Sequence, residues 1–211
     1  MLEAAMRVLE HYTRLIKEEG ESPRLVDLYP KAIDALGIIM NAASSMRKSG
    51  DYRLCSPLLL LCASFLELEG VHVRAAALYI GAGDCLFAEG HLKEALECFL
   101  KGYQRATLTP SRAGKIFASI ALLMAAFTAL KLEGPPLFKN TIKLARDSVD
   151  KKTWGSIRRT KYYVLLRSLY QLTGPSLHKN APLTLQVLEE LSNLAVGCAL
   201  KEWLQNLNAN R

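Results

Sequence analysis

The chain has little that breaks a helix and nothing that staples or anchors one. Only 8 prolines and 13 glycines are spread over 211 residues, so long segments rich in Leu, Ala, Lys and Glu run uninterrupted, and these are the strongest helix formers. No window alternates apolar and polar residues with period two, which excludes a sheet as the main architecture. The longest uncharged apolar runs are 116–130, with 15 residues, and 54–66, with 13 and a proline inside. Both are shorter than the roughly 20 residues that span a bilayer, so no membrane partner is expected. The opening residues mix charged and apolar positions and carry no export signal. Five cysteines (Cys55, Cys62, Cys85, Cys98, Cys198) form an odd set without a CxxC, which points to a reducing, cytoplasmic setting without a disulfide framework.

Catalytic signatures are missing as well. No HExxH, GxSxG or GxxxxGK[ST] occurs, and each of those motifs carries a specific chemistry of metal, nucleophile or phosphate. Gly81 and Gly83 make a GxG inside a helical pattern, where close packing is the expected role. The carboxylate pairs Glu18 with Glu19, Glu67 with Glu69 and Glu189 with Glu190 sit beside basic residues, with no sign of convergence on a pocket. The histidines His11, His72, His91 and His178 are far apart in sequence. A non-enzymatic protein without cofactor or metal is therefore the expectation. Cys55 and Cys62 share a helical face and read as small packing residues; Cys85 and Cys98 face each other in the alternative reading, as a redox pair.

What is present is helix, glycine and a basic segment. Helices are expected over about 2–19, 24–49, 52–69, 73–89, 92–107, 111–133, 136–150, 154–173 and 181–207, with Gly20, Gly50, Gly70, Gly90, Gly134 and Gly174 at the turns. Residues 132–140 are echoed 40 positions later by 172–180, with Leu132, Gly134, Pro135, Leu137, Lys139 and Asn140 repeated as Leu172, Gly174, Pro175, Leu177, Lys179 and Asn180. A recurring helix–turn–helix unit buries its apolar face only by stacking on neighbours, which defines an α-solenoid.

One unit, about 76–109, can be read residue by residue. Tyr79, Ala82, Gly83, Leu86, Gly90, Leu92, Ala95, Phe99 and Gly102 follow in an order that resembles the tetratricopeptide repeat. Gly83 and Ala95 would let two helices approach, and Tyr79, Leu86 and Phe99 would fill the flanks. Gly102 stands where that family has alanine, and Pro110 comes three residues later than the family's terminal proline. A weaker copy turns at Gly50, with Tyr52, Cys55, Leu59 and Cys62 following; Lys139 does not suit the buried alanine position of a later unit. The resemblance covers about a third of the chain. It implies an all-α fold, a right-handed α-α superhelix of about four antiparallel helical hairpins in one domain over 1–211. It also implies protein–protein interaction or complex assembly.

The charge distribution adds a candidate surface. The net charge is +7, and the segment 138–168 alone holds nine basic and two acidic residues, so the rest of the chain is neutral. Lys151, Lys152, Arg158, Arg159 and Lys161 flank Trp154, Tyr162 and Tyr163 and are the expected partner-binding residues. Arginine forks suit carboxylate or phosphate, and aromatics can stack on bases. The segment reads as a solvated helix face, as a dock for an acidic protein or peptide, or as an RNA-binding face. At the C-terminus, Leu183 to Leu207 is apolar over more than one stripe. It is expected to dock on the preceding helices, or else to form a homodimer.

Overall fold

The computed structural model describes residues 1–20 and 22–172, all of its regular structure helical. In chain order the elements are α1 Leu2–Glu19, α2 Pro23–Ser49, α3 Tyr52–Leu68, α4 His72–Ala88, α5 Leu92–Thr107, α6 Arg112–Glu133, α7 Pro135–Asp147, α8 Lys151–Ile157 and α9 Lys161–Leu172. From α1 to α7 each helix packs on the next, and α8 and α9 close against α6. The expected helix 181–207 and the echo at 172–180 lie at or beyond the end of the described residues.

The joints follow from glycine. Gly20, Gly50, Gly70, Gly90 and Gly134 all have φ between +66° and +82°, a region that residues with a Cβ adopt only under strain. Three of these joints share one hydrogen-bond pattern. The N–H groups of Asp51, Val71 and His91, each following its glycine, reach back to the carbonyls of Met46, Leu66 and Leu86 at 2.8, 2.8 and 2.9 Å. That bond closes the helix in a Schellman motif. The same joint recurs every twenty residues, so α2–α3, α3–α4 and α4–α5 turn alike.

Packing between the helices depends on small residues at the crossing points. A Cβ built on Gly83 would lie 2.7 Å from the Phe99 ring, and one on Gly102 would lie 3.1 Å from Ile80 and 3.2 Å from the Ala76 carbonyl oxygen. Glycine at 102 is thus required by the approach of α4 and α5, as it is at 83. Ala95 and Phe99 are fully buried and Tyr79 nearly so. The core has two parts with α4 as their common wall. Ala75, Ala82 and Cys85 of α4 face α1–α3, whereas Ala76 and Phe87 face α5–α9. Side chains such as Phe65, Phe99 and Phe138, with no exposed surface, contribute about 1.5–3 kcal/mol each relative to exposure.

Polar ties then join helices that are not neighbours in the chain. Tyr12 on α1 donates to Glu69 just after α3 (3.0 Å), Arg105 on α5 pairs with Glu67 on α3 (2.5 Å), and Tyr103 on α5 donates to the Ala145 carbonyl on α7 (2.8 Å). On the other layer Arg47 of α2 pairs with Asp84 of α4 at 2.6 Å. These ties stitch odd helices to odd and even to even, as two stacked layers require.

One expectation needs correction. The expected helix 154–173 is two helices, α8 and α9, separated at Arg158–Thr160. Asp150 caps the first by accepting from the N–H groups of Lys152 (2.8 Å) and Thr153 (2.9 Å), and the Thr160 hydroxyl accepts from Tyr163 N–H at the start of the second (3.3 Å). Further, α6 as a whole is long and apolar enough to cross a membrane, although its uncharged run is not. In its most apolar stretch 67% is buried inside the protein, as in a central core helix.

Candidate partner-binding cleft

The basic segment folds so that α7, α8 and α9 enclose a cleft of about 620 Å³. On α7, Phe138, Thr141 and Ala145 are buried, which turns Lys139, Ile142, Lys143 and Arg146 toward the cleft at helical spacing i, i+3, i+4 and i+7. Trp154 and Arg158 come from α8 and its C-cap, and Tyr163, Leu166 and Arg167 from α9. Buried Ile157, Leu165 and Leu166 hold these last two helices to the core. Five cations therefore surround a partly apolar floor, and among the described residues no carboxylate lines it.

The aromatic rings are already engaged. Trp154 and Tyr163 meet edge to face, with centroids 5.4 Å apart and planes at 85°. The Arg158 guanidinium lies 6.0 Å from the Tyr163 centroid, and Lys161 Nζ lies 5.2 Å from that of Tyr162. Arg146 pairs with Asp147 at 2.9 Å. Lys143, Arg158 and Arg167 have no ion pair among the described residues. Like charges gathered in a concave site concentrate a positive field at its mouth.

Of the five residues expected from the sequence, the cleft takes Arg158. Lys152 instead lines a second cavity, of about 340 Å³, among Thr107, Thr109, Lys115, Asp150 and Thr153. Lys151, Arg159 and Lys161 are exposed and line neither cavity. Lys139, Lys143, Arg146 and Arg167, the other four cations of the cleft, belong to the basic segment but lie outside those five expected residues. The 139/142/143/146 spacing was the available signal for the first three, while Arg167 joins them only through the turn at 158–160.

Other chemistry-bearing residues serve packing. Glu67 accepts from Tyr79 (2.7 Å) besides holding Arg105. Cys85 has Cys55 as its thiol neighbour across α3–α4, and Cys55 also donates to the Ala43 carbonyl at 3.3 Å. Burial pushes the Cys62 thiol up to about 12 and that of Cys98 to about 11, and raises Cys55 and Cys85 too. Among the described residues no cluster of three or more His, Cys, Asp or Glu could hold a metal. No protein-family model, curated protein or solved structure matches this chain.

Proposed function

We propose that this chain is a non-enzymatic helical-repeat scaffold, similar to tetratricopeptide-repeat proteins, that binds another protein in the cytoplasm. The observation that carries the reading is the recurrence of one glycine joint every twenty residues between packed helices. It supports an array of like hairpins whose packing residues are fixed while its surfaces vary, the organisation repeat proteins use for binding. The analogy is one of architecture, and function on such folds resides in the surface that is presented. RNA binding through 138–168 is a second reading, supported by the nine cations of that segment.

The test is affinity capture by the full chain from lysate of its source, with and without nuclease, each eluate measured for protein and nucleic acid. One defined protein recovered in constant ratio after nuclease supports the scaffold. Recovery that vanishes with nuclease, or steep loss of captured nucleic acid with salt, replaces it with the second reading. Recovery of neither overturns both.

A further inference from the structure

We propose that the α7–α9 cleft binds a short acidic peptide segment of the partner, with an aliphatic or aromatic side chain flanked by Asp or Glu. This rests on the scaffold reading and names the chemistry its partner must offer. Charge gives the first half of the specificity. Lys139, Lys143, Arg146, Arg158 and Arg167 come from three separate elements and line one concavity, and none of the described residues that line it is acidic, Asp147 lying beside Arg146 outside it. Guanidinium groups bind carboxylates through paired N–H donors, which gives orientation as well as attraction. The floor gives the second half, because Ile142, Leu166 and the Trp154–Tyr163 pair offer apolar surface that a purely anionic ligand would leave wet. An amphipathic ligand covers both.

Size and ring geometry separate a peptide from RNA. About 620 Å³ lies within the range of sites that enclose small ligands or a few side chains, whereas single-stranded nucleic acid is held along an extended groove with open aromatic faces for its bases. Here Arg158 and Lys161 lie over the rings of Tyr163 and Tyr162. Of these contacts, Arg158 over Tyr163 and the edge-to-face Trp154–Tyr163 pair lie in the cleft and are made without a ligand, so that part of its wall is ordered before one enters. Preorganisation of that kind reduces the ordering cost of binding.

The experiment is an array of short random-sequence peptides probed with the labelled full chain, followed by fluorescence anisotropy on the strongest binders and on oligouridylate RNA. The expected binders are rich in Asp and Glu next to Leu, Ile, Phe or Trp. Replacing their acids by Asn and Gln is expected to abolish binding. Arg158→Gln and Arg167→Gln should each weaken binding by about tenfold or more, as loss of a charged hydrogen bond does. The charge-matched variant Lys93→Gln with Lys101→Gln on α5 should leave it within about twofold, since distant exposed charges act weakly. Circular dichroism of every variant checks that the helices remain. Binders without acidic bias, equal loss in the α5 variant, or tighter binding of the RNA would each overturn the proposal. A defined partner protein captured equally by wild type and by the Arg158/Arg167 variants would overturn it while leaving the scaffold intact.

Discussion

Replacing Gly83 by alanine puts a methyl group where the structure has none to spare. The built Cβ would stand 2.7, 2.9 and 3.0 Å from three carbons of the Phe99 ring, well inside van der Waals contact. Phe99 has no exposed surface, so the ring cannot swing into solvent and α4 and α5 must part instead. Overpacking of this kind costs about 1–3 kcal/mol. Against it stands the better helix propensity of alanine, about 1 kcal/mol over glycine. The balance expected for Gly83→Ala is a loss of up to about 2 kcal/mol, read as a lower urea midpoint by circular dichroism. Gly37 supplies the control, because it is an exposed helical glycine with nothing within 4 Å of its built Cβ. There alanine should gain close to the full propensity difference of about 1 kcal/mol. In the Phe99→Leu background the Gly83→Ala penalty should shrink, because the ring that it strikes is gone. If Gly83→Ala stabilises the protein as much as Gly37→Ala does, the close α4–α5 approach is wrong.

Other outcomes follow from the buried polar groups. Asp84 is 1% exposed and Arg47 35%, so Arg47→Met takes the paired cation from a buried carboxylate and should cost about 3 kcal/mol, whereas Asp84→Asn keeps a neutral hydrogen-bonding group beside a part-exposed arginine and should cost about 1 kcal/mol; equal losses in urea unfolding would refute this asymmetry. Asp150 is held below the usual Asp range by the Thr153 hydroxyl and the backbone N–H groups at the start of α8. Its contribution is therefore complete above the unfolded Asp value of about 4 and is lost as pH falls through the lower folded value. NMR titration of its carboxyl should show that depressed midpoint, and Asp150→Ala should loosen the α8 start selectively. Cys55, Cys62, Cys85 and Cys98 are buried with their thiols shifted upward, so at neutral pH they stay protonated and should resist maleimide until the chain is unfolded. Mass spectrometry of native labelled protein that finds any of these four modified rapidly would contradict their burial.

The all-helical character and most joints were legible because they depend on local chemistry. A glycine after an apolar-periodic segment can take the left-handed conformation that closes a helix and that other residues avoid, and Gly50, Gly70 and Gly90 adopt it. The break at 158–160 was harder to see. Its local signal is Thr160 at the start of α9, a single residue set against a periodicity that runs on through Ile157, Tyr162 and Leu165. The cleft was half visible. The charges of 138–168 could be counted, and Lys139, Lys143 and Arg146 could be placed on one helical face. That Arg167 faces them while Lys151 and Arg159 do not depends on how α9 returns against α6, which is a tertiary fact. The same holds for Tyr12 with Glu69 and Tyr103 with Ala145, partners 57 and 42 residues apart, whose pairing no spacing announces.

The ties between alternate helices bear on how such an array bends. In a stack joined only by neighbouring faces, each hinge can open by itself and the ends peel away first. Here the Tyr12–Glu69, Glu67–Arg105 and Tyr103–Ala145 contacts run in series through α1, α3, α5 and α7, with Arg47–Asp84 bracing the opposite layer. Opening any one joint on that side lengthens a bond that spans the helix beside it. Spreading of the laced edge therefore has to break these contacts, which a stack of independent hinges would not oppose.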